Sequence, residues 1–295
     1  MYEALHDYLK DSELRIADEN LHIRMSPELA KKYDAGAYDF VVAEQLDCIR
    51  ELMALNLLPD KSKKFYIYLV PDDRLVELLM YPYKDAESGG RPVRCFDDDG
   101  LSYAHGSSQN LFLRQEKRKT NGHVNDLHEY SHLIQGEYAT KDLFFNEGFA
   151  ELLPWYVLNY ERKTLPHIMT VLDTDVYSAS NMLGRKDVYR DVVAGRTISF
   201  QKSYISAYIF MRTIIEKIEE KYNLDKVGAA KFWLQWIAET KLNCGLLVTE
   251  LANKLGLNAE KLLYTTDYQK EVLQEMSNFV KMNQNIIKPM DDVKR

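Results

Sequence analysis

The stretch "VNDLHEYSHLIQG", Val124 to Gly136, decides how the rest of the chain is read. Residues i and i+4 of an α-helix share one face a turn apart, so His128 and His132 can reach a single ion. Glu129 is rotated from His128 by about 100°, close enough to act on a water beside that ion without ligating it. Val124, Leu127, Leu133 and Ile134 supply apolar surface for a buried helix, and Gly136 is a natural C-terminal stop. The same pattern also suits a helix whose histidines are only core or surface residues. A third ligand separates the two readings, because catalytic zinc takes three protein ligands and keeps one position open.

That ligand is expected downstream, in "FFNEGFAELLPWY". Glu147 lies fifteen residues after His132, and Glu151 follows one helical turn later on the same face. Glu147 would be the carboxylate ligand. Glu151 would accept the spare ring N–H of a ligating histidine, His128 for preference, fixing its tautomer and raising its basicity. Gly148 would let two helices approach closely enough for Glu147 to reach the ion. The competing account of Glu147 is a glutamate favoured in a first helical turn by the helix dipole.

Outward from these stretches, the 295 residues are 46% hydrophobic and 28% charged, an ordinary globular composition for one large domain or two lobes. The net charge of −7, with no basic cluster, argues against nucleic acid and anionic membranes as partners. Cys48, Cys95 and Cys244 are far apart and odd in number, which suits reduced core thiols and neither a disulfide framework nor a zinc ribbon. "MYEALHDYLKDSELRIADEN" has no basic n-region or apolar h-region, and no segment offers a membrane span, so a cytoplasmic location is expected.

The first third alternates element types. "ELRIADENLHIRM" reads as a strand or hairpin, "AYDFVVAEQLDCIRELMALNLL" as a helix and "KFYIYLVPDD" as a short buried strand. "DRLVELLMYPY" reads as a helix, "ESGGRP" and "FDDDG" as loops, "SSQNLFLRQ" as a strand and "EKRKTNG" as a solvated connector. After Lys141 strand signals nearly vanish: "NEGFAELLPWYVLNY", "SYISAYIFMRTIIEKIEEKYN", "DKVGAAKFWLQWIAETK" and "GLLVTELANKLG" all have helical spacing. An α+β class follows, with a mixed α/β lobe over residues 1–140 ending in the histidine helix. A helical lobe over 141–295 would carry Glu147, and an active-site cleft would lie between the two lobes. The 127–136 helix should pack on the 146–160 helix with Gly148 at the crossing. Pro154 should end or kink the latter, and "KMNQNIIKPMDDVKR" should form a loosely held tail.

"HEYSH" followed by "NEGFAE" resembles the gluzincin zinc metallopeptidases, and "HEYSHLIQGEY" resembles the peptidase domains of bacterial collagenases and related thermolysin-like enzymes. The motifs cover about 25 residues. The resemblance implies a zincin-like fold, one zinc on His128, His132 and Glu147, Glu129 as general base, and a peptide or protein substrate. It also implies an oxyanion donor from the helical lobe. "FQKSYISAYIFM" offers Tyr204 and Tyr208 for this, Tyr204 being favoured by similarity, with His167 and Arg190 weaker candidates. In such enzymes an edge strand beside the cleft pairs with the extended substrate, and "SSQNLFLRQ" is the candidate, with an ordinary core strand as the alternative. His6, His22, His105 and His123 have no ligand spacing. The chain lacks the secretion signal and accessory domains of secreted collagenases, which argues against collagen.

The expected reaction is hydrolysis of a peptide bond by a metal-activated water, with Glu129 taking the proton. Two other functions use the same residues. One is a dedicated intracellular tailoring hydrolase acting on one peptide or amide metabolite, recognisable by inertness towards generic peptides. The other is a non-catalytic zinc-binding scaffold, which would have no need of Glu129.

Overall fold

The structure is a computed structural model of the chain. It describes residues 13–17, 21–25, 39–57, 65–70, 102–105, 110–114, 122–135, 142–161, 176–183, 197–240 and 244–283. The stretches "DRLVELLMYPY", "ESGGRP" and "FDDDG" lie outside the described residues, as do nearly all of "EKRKTNG", the tail beyond 283, and His6, Cys95, His167 and Arg190. The chain divides into two compact units, Met1–Gly136 and Glu137–Arg295.

In the first unit the backbone of β1 (Glu13–Ala17), β2 (Leu21–Met25), β3 (Phe65–Val70), β4 (Ser102–His105) and β5 (Asn110–Arg114) pairs in the order β1-β2-β3-β5-β4. The outer pairs are antiparallel and the inner two parallel, with Ile23 opposite Ile67 and Tyr68 opposite Phe112. Helices α1 (Asp39–Ala54) and α2 (Gly122–Gln135) pack on each other, and α2 also meets β4 and β5. Cys48, Ile49 and Leu52 of α1 are buried, as is Leu57 just beyond it. Asn56, at φ 53°, takes the left-handed conformation that an asparagine tolerates at a helix end.

Two expectations are corrected. The strand in "SSQNLFLRQ" is not an edge: β5 is flanked by β3 and β4, so both of its backbone edges are occupied and neither can take an extended substrate. The α+β, zincin-like class is overturned too. Of the residues described with their side chains 84% are helical and none lies in a strand, so the defined core is mainly helical. The reason is geometric. Period-2 alternation marks a face without saying what it packs on, whereas an apolar stripe along each helix supplies most of the buried side chains here.

The second unit contains α3 (Leu143–Leu152), a π-helical turn (Leu153–Val157), a short α4 (Ala179–Met182) and the long α5 (Thr197–Tyr222). Next come α6 (Lys226–Thr240), α7 (Cys244–Leu255), α8 (Ala259–Tyr264), a 3-10 turn (Asp267–Gln269) and α9 (Lys270–Met282). Helix α5 runs through the middle: α3, α6, α7 and α9 all pack against it. Phe144, Phe145, Phe210 and Trp233 form an aromatic cluster with ring centroids 5.2–6.0 Å apart. Tilted and edge-on contacts at this spacing add about 0.5–1.5 kcal/mol per pair beyond burial. Gly148 sits at a helix crossing, but its partner is α5: a Cβ there would lie 2.6 Å from Ala207 O and from Met211 Cγ. The glycine serves that contact with α5.

Candidate metal centre

Helix α2 sorts its residues by face. Leu127, Tyr130, Ser131 and Ile134, at i, i+3, i+4 and i+7, are buried. Ser131 satisfies its hydroxyl by donating to Leu127 O at 2.6 Å. His128, Glu129 and His132 are half-buried on the flank of that stripe. The two histidine rings meet edge to face, centroids 4.8 Å apart, with Nε2 of each 3.2 Å from the other. Nδ1 of His132 lies 3.1 Å from Oε1 of Gln135, which is itself buried. An amide oxygen can only accept, so this contact suits the His132 tautomer that carries its proton on Nδ1 and leaves Nε2 able to bind an ion.

Helix α3 starts where Asp142 caps it: Oδ1 accepts from Phe144 N at 2.9 Å, satisfying one of the open amides of the first turn. Phe144, Phe145, Gly148, Phe149 and Leu152 face the core. Glu147 and Glu151, one turn apart, stay half-buried on the other side. The α-helix ends at Leu152, and the next turn is π-helical, with Leu158 N donating to Leu153 O at 2.9 Å. Pro154 lies in this turn. It lacks the N–H that a continuing α-helix would donate to Ala150, so the register change falls where the donor is missing.

His128, His132 and Glu147 come together: a ligand atom from each lies within 4.8 Å of the others. Two nitrogens held about 2.1 Å from a tetrahedral zinc are about 3.4 Å apart, close to the 3.2 Å of the histidine pair. The donor set, two imidazoles and a carboxylate, is the chemistry that zinc takes up.

The two tyrosines of α5 differ. Tyr208 is fully buried and donates its hydroxyl to Glu161 Oε1 at 2.7 Å. Burial and the neighbouring Glu161 charge hold its pKa well above the usual phenol value. Tyr204, one turn earlier, is half-buried. It shares the α5 face of Ala207 and Met211, the two residues against which Gly148 packs.

Gln135 and Asp142 are the site residues that sequence reasoning missed. Gln135 stands at i+3 from His132, a spacing that brings side chains together on a helix. Asp142 stands just before an apolar run, the usual place of an N-cap. A surface pocket of about 470 Å³ in the second unit is lined by Lys217, Glu220, Lys221 and Glu271, among others. It includes none of the residues above, and Lys217 already pairs with Glu220 at 2.9 Å. No helix among the described residues is long and apolar enough to cross a membrane. In comparisons with known proteins, the chain matches no family model and no curated sequence, so the gluzincin resemblance rests on "HEYSH" and "NEGFAE" alone.

Proposed function

We propose that the protein is a zinc-dependent metallopeptidase in which His128, His132 and Glu147 hold one zinc ion. The observation that carries this reading is the convergence of those three ligand atoms within 4.8 Å, from positions up to nineteen residues apart in the chain. Zinc held there supplies Lewis acidity that polarises a carbonyl and makes a water nucleophilic near neutral pH. Glu129, beside His128 on α2, accepts the proton of the attacking water and passes it to the leaving amine. Glu151 steadies a histidine ligand by accepting its ring N–H, as Gln135 does for His132. Tyr204 donates to the developing oxyanion. Its half-buried position supports that choice over Tyr208, whose hydroxyl is committed to Glu161 in the core.

The test is hydrolysis of a peptide library by the purified chain, with and without a chelator, alongside elemental analysis. Chelator-sensitive cleavage with one zinc per chain is expected. Glu129→Gln is expected to retain zinc while kcat falls by at least ~10²-fold, the scale of a lost general base. Absence of a transition metal after zinc is supplied overturns the reading, and loss of zinc in Glu129→Gln reassigns that residue as a ligand.

A further inference from the structure

The segment that follows the Glu147 helix is strapped to α5 at several points. Glu161 Oε1 accepts from Arg212 Nη1 at 2.6 Å and from the Tyr208 hydroxyl at 2.7 Å. Trp155 packs edge-on against Tyr208, ring centroids 4.7 Å apart. The Tyr156 hydroxyl donates to Glu219 at 3.1 Å, and the Tyr156 ring lies 4.7 Å from the guanidinium of Arg212. From α6, Lys226 donates to Tyr156 O and to Asn159 Oδ1, both at 3.1 Å. Asn159, at φ 61°, ends the strap in the left-handed conformation. Upstream, Gly148 fastens α3 to the same helix at Ala207 and Met211.

Both ends of this stretch are therefore tied to α5, with the π-turn between them. A π-turn takes in an additional residue, and one residue corresponds to about 100° of helix rotation. The extra residue turns the following side chains by that angle relative to the face that carries Gly148, and Trp155 and Tyr156 within the turn are the ones that meet Tyr208, Arg212 and Glu219 on α5. Glu147 and Glu151 lie just upstream of the turn, so its phase sets the direction in which they point.

We propose that the π-turn at Leu153–Val157 and its Arg212–Glu161–Tyr208 fastening are a positioning device that fixes the rotational phase of α3 and so aims Glu147 at the metal. Pro154, Glu161 and Arg212 are positioning residues on this account. The inference rests on the metal reading given above. Pro154→Ala restores the missing N–H and favours a continuous α-helix, while Glu161→Gln unfastens the strap without changing its size.

The experiment measures zinc affinity by competition with a chromophoric chelator for the unmodified chain, His132→Ala, Pro154→Ala and Glu161→Gln. The apo melting curve of each is recorded in parallel, and affinities are read well below the melting range. Roughly a 10-fold or greater loss of affinity is expected in both strap variants, the scale found when a ligand loses its orienting contacts, with Pro154→Ala melting near the unmodified chain. A merely structural strap would lower the melting temperature and leave the affinity of the folded protein unchanged. Affinity within twofold of the unmodified chain in Pro154→Ala overturns the inference, as does the same result in Glu161→Gln where that variant folds. If the unmodified chain binds no zinc, or His132→Ala binds it equally well, the metal reading itself fails and takes this inference with it.

Discussion

Two groups of polar side chains in this protein gather around a point, and they do so in opposite ways. Around Arg212 the cation is supplied by the chain. Its guanidinium is almost fully buried and meets Glu161 at 2.6 Å, Glu216 at 2.8 Å and Glu275 at 2.7 Å, so donors and acceptors are matched in one place. Burial opposes its charge, but Tyr208, Glu161 and Glu216 more than offset that and raise its pKa above the ordinary value. At His128, His132 and Glu147 the chain instead gathers two imidazoles and a carboxylate, with ligand atoms within 4.8 Å of one another. The first group explains how helices are held. The second is a donor set of the kind that a metal ion takes up.

Four experiments probe that contrast. The largest effect is expected at the histidine and glutamate group, where His128→Ala, His132→Ala or Glu147→Ala should each abolish stoichiometric zinc by elemental analysis. A site of three ligands does not hold its metal with two. Retention of a full equivalent in any of them would remove that residue from the group.

At the Arg212 group, Arg212→Ala should cost about 3–5 kcal/mol in urea unfolding, because it leaves Glu161 and Glu216 facing each other without their cation. Arg212→Met, which restores much of the packing, should cost less. Equal losses would mean that the packing of the stem is irrelevant and that only the charge matters.

Gly148→Ala comes next, at about 1–3 kcal/mol, since its methyl would press on the backbone carbonyl of Ala207. An unchanged urea midpoint would show that α3 and α5 are not closely docked.

The smallest effect is one of pH. Burial raises the pKa of Glu216 and of Glu219 above the usual glutamate value of 4.5. Their folded forms then bind protons more readily than the unfolded chain. This pair therefore favours the fold as pH falls towards 4.5, and that contribution fades as pH rises through the raised folded values. Glu219→Gln should flatten the slope of stability between neutral pH and 4.5, and a slope unaltered by both Glu216→Gln and Glu219→Gln would remove the pair from the pH response.

What could be read from the sequence was local. α2, α5, α6 and α7 lie where apolar spacing puts helices, because each carries its own stripe of buried residues. The histidine pair was legible for the same reason, with both side chains one turn apart on the same face. Strand order was not. β5 lies between β3 and β4 through pairings whose partners are not encoded in its own five residues. The α+β class failed with it, since alternation alone does not say which faces build the core. At Gly148 a close approach is visible in the glycine, while α5 as the helix that approaches is not. The Arg212 group left no trace at all. Glu161 and Glu275 are 51 and 63 residues from Arg212, and nothing in their local sequence links them.

Cys48 gives the first unit a built-in clock. Its thiol is wholly buried in α1, the helix against which α2 packs. With Cys95 and Cys244 replaced by serine, a thiol reagent could react only during the moments when Cys48 is uncovered. The labelling rate would then count those openings directly. An ion that bridges His128 and His132 ties two turns of α2 together, so adding zinc should lengthen the interval between ticks. A motion too brief to alter any equilibrium measurement would thus be recorded as elapsed time.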